Sequence, residues 1–176
     1  MFKQTRFDGS YEMGVNAEQR FANTLSTHGY TFRRANRTQD MREHWDFEVN
    51  QPQQRAVRFE VKAMKRLRRQ DTQAVSDLIY IEFKNVIGLP GWIYGHADYI
   101  AFEQPEHFIC VDRNGLVSLA ERLTADTIWV NKPTLHKLYR RYDRPDECVT
   151  LLKLDEIVQN VPHFILEAAW QTPMIV

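Results

Sequence analysis

The sequence predicts an α/β domain in which a central mixed β-sheet is flanked by helices. Three observations carry that expectation. Segments 44–49 and 57–62 alternate apolar and charged residues with the period of half-buried strands. Segment 16–25 spaces Phe21 and Leu25 as a helix would. Further short runs rich in aliphatic and aromatic residues recur at 78–84, 97–103 and 107–112 with turn residues between them. With 176 residues, 43% of them hydrophobic, the chain can bury one substantial core, so a single domain over 1–176 is expected.

Taken in order, the first helix is placed at residues 16–25, with Asn16 as its N-cap and Gly29 as its stop. A strand is expected next, then the strand pair 44–49 and 57–62. If residues 50–54 close the hairpin, counting sets Asp46 against Glu60, Phe47 against Phe59, Glu48 against Arg58 and Val49 against Val57. Both apolar pairs then share the core face, and Glu48 meets Arg58 as an opposite-charge pair. Residues 78–84 read as a further strand and 91–96 as a short helix that buries Trp92. Strands at 97–103 and 107–112 are joined by the turn at 104–106. Beyond them, 116–123 reads as strand-to-helix, 133–142 as a basic helix, 148–154 as a strand and 155–160 as its continuation.

The hairpin register gives these elements a chemistry. Asp46, Glu60 and Lys62 share the face opposite the apolar pairs, with the two carboxylates about 5 Å apart by cross-strand geometry. Carboxylates that close repel unless a cation lies between them, and magnesium or manganese favours such hard oxygen ligands. An ion there would polarise a phosphodiester and acidify a coordinated water. Lys62 would orient that water or stabilise charge developing on the phosphate.

The order of a helix bearing Glu18, a strand, a strand bearing Asp46 and a strand bearing Glu60-Val61-Lys62 resembles the PD-(D/E)XK nuclease superfamily. Its resolvase-like members open on a helical glutamate preceded by a glycine, as Gly14 and Glu18 do here. Phage members carry a similar glutamate-bearing strand, glycine-tryptophan turn and strand like Ala97-Asp98-Tyr99-Ile100-Ala101-Phe102. The motif's proline is replaced by Trp45. The resemblance implies a restriction-endonuclease-like three-layer core of αβββαβ order over about 14–112, with a C-terminal extension over about 113–176. It implies a divalent-metal-dependent endonuclease of phage or prokaryotic DNA recombination, repair or processing. Asp46 and Glu60 would ligate magnesium or manganese with the Val61 carbonyl, and Lys62 would serve the nucleophilic water. Glu18 would hold a second metal or orient its water, and Glu82 is a second-tier site residue. The alternatives are a catalytically silent DNA-binding module on the same fold and an RNA-processing nuclease.

Composition narrows the field. Formal net charge is zero, yet residues 1–69 hold 14 Lys/Arg against 8 Asp/Glu, and residues 70–176 hold 9 against 15. The basic half contains the acid pair, and Arg33, Arg34, Arg37, Lys65, Arg66, Arg68 and Arg69 are the expected phosphate contacts. DNA is therefore the expected partner, with a homodimer as one way to cut both strands. No apolar run is long enough for a membrane span or signal peptide, so a cytoplasmic location is expected. Cys110 and Cys148 are too few for a disulfide scaffold or a four-cysteine zinc site. The six histidines lack ligand spacing, and no nucleotide-binding glycine loop occurs.

Overall fold

The computed structural model describes residues 9–50, 54–65, 77–140 and 142–168. It is an α/β architecture with two mixed sheets and flanking helices. The six-stranded sheet runs in the order β1 (Phe32–Arg34), β2 (Phe47–Val49), β3 (Val57–Lys62), β5 (Tyr99–Glu103), β6 (His107–Asp112) and β10 (His163–Glu167). Only β3 and β5 pair in parallel within it. The four-stranded sheet runs β4 (Leu78–Lys84), β9 (Cys148–Lys153), β8 (Leu138–Tyr139) and β7 (Trp129–Val130). Among the described residues, four α-helices accompany the sheets: α1 (Gly9–Thr27), α2 (Arg37–Glu43), α3 (Arg113–Thr124) and α4 (Leu154–Asn160).

The β2–β3 ladder has the counted register, pairing Phe47 with Phe59, Glu48 with Arg58 and Val49 with Val57. Its apolar face meets α1. Phe21, fully buried, sets its ring 5.3 Å from Phe47, 5.4 Å from Phe59 and 5.0 Å from Phe108. Ala17, Leu25, Val61, Ala101 and Cys110 close the same cluster. Burial pushes the Cys110 thiol up to about 12. On the opposite face Trp45, Ile100, Phe102 and Val111 pack against β4, β9, α3 and α4 through Ile81, Leu152, Leu116 and Ile157. Strand β5 alternates between the two clusters, which is why its centre is apolar on both faces.

Helix α1 starts at Gly9, so Asn16 lies inside it rather than capping it. Its buried positions begin at Ala17, and the earlier turns lack the apolar spacing that marks a packed helix. The stop is as expected. Gly29 adopts φ +77°, with its N–H donating to the Ser26 carbonyl and the Tyr30 N–H to the Leu25 carbonyl, a Schellman closure.

Other expectations are corrected. Helix α2 interrupts the path from β1 to β2, and the 78–84 strand leaves the main sheet to pair with β9. The expected helix at 133–142 is absent over the described residues 133–140 and 142, with Arg141 outside them: Leu135 bridges Leu151, Leu138 and Tyr139 form β8, and His136 has φ +57°. A left-handed residue at that place ends any helical run. The 91–96 segment is a single 3₁₀ turn at Trp92–Tyr94, with Trp92 buried as anticipated and Ile93 buried beside it. Segment 116–123 is wholly helical within α3, whereas β7 and β10 carried no sequence expectation.

Candidate active site

The expected site begins where α2 ends. The Asn36 side chain caps α2 by accepting from the Thr38 and Gln39 amides, while the Gln39 side chain accepts from the Asn36 N–H, a capping box. His44 closes the helix in the left-handed region. The chain is held there because the His96 N–H donates to the Glu43 carbonyl at 2.6 Å. Gly95 permits that approach: a Cβ at 95 would lie 2.5 Å from the His44 Cβ.

Asp46 follows, immediately before β2. Its N–H donates to the Phe59 carbonyl at 2.7 Å, and its own carbonyl accepts from Ala35 at 2.8 Å. The β2–β3 ladder ends at Phe47–Phe59, so Asp46 is not a paired strand residue facing Glu60 as counted; it is a bend whose backbone is pinned between Ala35 and Phe59. Its Oδ2 accepts the Val61 N–H at 2.6 Å. Removal from water and the nearby Glu60 charge hold its carboxyl well above the usual aspartate range, against the opposing pull of Lys62.

Glu60 is 5% exposed. One of its oxygens accepts from the Lys62 ammonium, whereas Oε2 is buried without a hydrogen-bond partner. Lys62 also places its Nζ 4.9 Å from the Trp92 ring centre. Burial would lower the Lys62 pKa, but the Glu60 and Asp46 carboxylates outweigh it and the group stays cationic above its usual range. The donor set is suited to a hard divalent cation: paired carboxylates, one orphaned buried oxygen and a net repulsion that positive charge relieves. Among the described residues, no three His, Cys, Asp or Glu side chains converge as a ready-made metal cluster.

Glu18 lies on α1, half-buried, with Oε2 accepting from Arg34 at 3.3 Å. Burial raises its pKa, Arg34 opposes that, and Asp40 and Glu60 raise it further, so it lies within the electrostatic reach of the acid pair. Glu82, on β4, faces the same space from the second sheet. Burial raises its pKa while Lys62 and Lys65 pull it down. Between the sheets lies a cleft of about 600 Å³ lined in part by Glu60, Lys62, Lys65, Glu82, Trp92 and Glu147. Asp46 and Glu18 do not line it, so the cleft reaches the acid pair from its Glu60 side. Glu147 was missed by the sequence reading. Its place on the wall depends on the pairing of β9 with β4, and no local pattern announces that contact.

The anticipated phosphate contacts divide. Arg33 bonds Glu48 at 2.7 Å and covers the Trp45 ring at 4.8 Å, with Arg58 also 4.8 Å from that ring centre. Arg58 reaches Glu48 at 2.8 Å, as counted. Arg34 bonds Glu18 and Gln19 and covers Phe47. Arg37 is exposed on the first turn of α2, and Lys65 is exposed at the cleft. Arg66, Arg68 and Arg69 lie outside the described residues.

No family model, curated protein or solved structure matches the chain.

Proposed function

We propose that the chain is a divalent-metal-dependent phosphodiesterase that hydrolyses DNA, on a restriction-endonuclease-like scaffold of the PD-(D/E)XK kind. The observation that carries the reading is the Asp46 carboxylate bonded to the Val61 N–H, between Glu60 and Lys62 on β3, beside a cleft. Magnesium or manganese, held by Asp46, Glu60 and the Val61 carbonyl, would supply positive charge at the scissile phosphate and a more acidic water.

The protein's own groups do the rest. The Val61 N–H fixes the Asp46 carboxylate before substrate arrives. Lys62, kept cationic by its two acid neighbours, donates to the attacking water or to a phosphate oxygen. Arg34 holds Glu18 through an ion pair. Lys65, with Arg37, offers positive charge to the flanking backbone.

The test is incubation of purified protein with duplex, single-stranded and branched DNA, and with RNA, in magnesium, manganese or chelator. Cleavage only with metal is expected. Asp46→Asn and Lys62→Ala are each expected to reduce the rate by about a hundredfold or more while DNA binding persists. Wild-type rates from either variant would remove the mechanism. A catalytically silent DNA-binding module is favoured by one observation, the Lys62 ammonium already neutralising Glu60. That reading expects binding that survives chelator and no strand scission in any metal.

A further inference from the structure

Strand β10 ends the six-stranded sheet. Its inner edge pairs with β6, and among the described residues no strand pairs its outer edge. Exposed edges are normally blunted by charge, proline or a bulge. Here His163-Phe164-Ile165-Leu166-Glu167 runs along β6 in unbroken register and leaves Phe164 and Ile165 40% and 55% exposed.

Two hydrogen bonds fix which backbone groups face outward. The Asp112 N–H donates to the Pro162 carbonyl, and the Ala168 N–H donates to the Glu106 carbonyl. Residues 162, 164, 166 and 168 therefore turn towards β6, and His163, Ile165 and Glu167 direct their N–H and C=O groups away from it.

We propose that β10 is the docking strand of a homodimer, pairing antiparallel with β10 of a second copy about a two-fold axis at Ile165. The segment is complementary to itself in that register. Ile165 meets Ile165, His163 meets the partner's Glu167, and Phe164 meets the partner's Leu166, so both the polar and the apolar positions find suitable neighbours. The backbone phase agrees, since every outward N–H and C=O of His163, Ile165 and Glu167 then faces an outward group of the other copy. A one-residue slip would set outward groups against groups already bonded to β6. Nothing in the pairing depends on the reaction proposed above.

A single strand pair buries little area, so association in the micromolar range is expected. Sedimentation velocity on the full chain from about 1 to 200 µM is expected to show a concentration-dependent monomer–dimer equilibrium. Ile165→Pro removes an outward N–H that the β6 ladder does not use and is expected to weaken association about tenfold or more, with an unchanged circular dichroism spectrum. His163→Glu alone opposes two glutamates and is expected to weaken it as well. Adding Glu167→Lys to His163→Glu should restore association, which a folding defect would not do. A monomer at every concentration, or a dimer indifferent to Ile165→Pro, overturns the proposal. Failure of the charge exchange to restore pairing overturns the register, and binding of unrelated strands in place of self-association overturns the assignment of the occupant.

Discussion

At the residue scale, Asp46 carries a measurable consequence independent of turnover. An aspartate in an unfolded chain titrates near 3.9, whereas burial and Glu60 raise this one when folded. Its contribution to stability is complete below the unfolded value and is lost as pH rises through the folded one. Once ionised, the group is therefore held at a cost. Asp46→Asn keeps an oxygen for the Val61 N–H, and is expected to raise stability at pH values above the folded titration, with the difference closing towards pH 4. Thermal melts across that range check it. Millimolar magnesium is expected to raise the melting temperature of the wild type but not of Asp46→Asn, because only a ligand that binds the folded site shifts the equilibrium. Glu60 and Lys62 were legible in the sequence because charge and period coincide along residues 57–62, whereas Asp46 lies just outside β2 and is brought to them by a bend that alternation does not announce. The orphaned Glu60 oxygen was not, since it depends on where Lys62 and Trp92 settle.

At the element scale, α2 explains how Asp46 is aimed. The helix buries no residue of its own, so capping and the hydrogen bond from the His96 N–H to its last carbonyl hold it. Asn36→Ala is expected to cost about 1 kcal/mol by thermal or denaturant unfolding. Gly95→Ala, which forces a Cβ into His44, is expected to cost about 1–3 kcal/mol and to lower any metal affinity with it. A change at Gly95 without effect on either would detach α2 from the site. The capping box Asn36-Arg37-Thr38-Gln39 was readable in the sequence, yet no apolar stripe follows it, so the helix passed unnoticed. The β2–β3 hairpin was legible to the register, because a short loop and two alternating strands leave one pairing that buries Phe47, Val49, Phe59 and Val61 together. Strand β10 gave no such signal, since four of its five residues are exposed and alternation has nothing to separate.

At the scale of the whole molecule, the unexpected feature is the second sheet. The alternation of β4 told that one face would be buried but not which partner would cover its edge, and that partner, β9, lies more than sixty residues downstream. The charge asymmetry was real as arithmetic. In space, however, Arg20, Arg33, Arg34, Arg55 and Arg58 all form ion pairs with carboxylates, which composition cannot foresee. No helix among the described residues is long and apolar enough to cross a membrane. The two-sheet arrangement also distributes the cysteines: Cys110 lies in β6 of the larger sheet and Cys148 in β9 of the smaller, both buried, with burial raising both thiols. An alkylating reagent attacks the thiolate, so each side chain is silent until its own sheet opens. The chain thus carries a natural two-channel recorder of its breathing. Equal labelling rates at both positions, followed by mass spectrometry, would mean the sheets open as one unit; faster labelling of Cys148 would mean that the smaller sheet, one wall of the cleft, parts first.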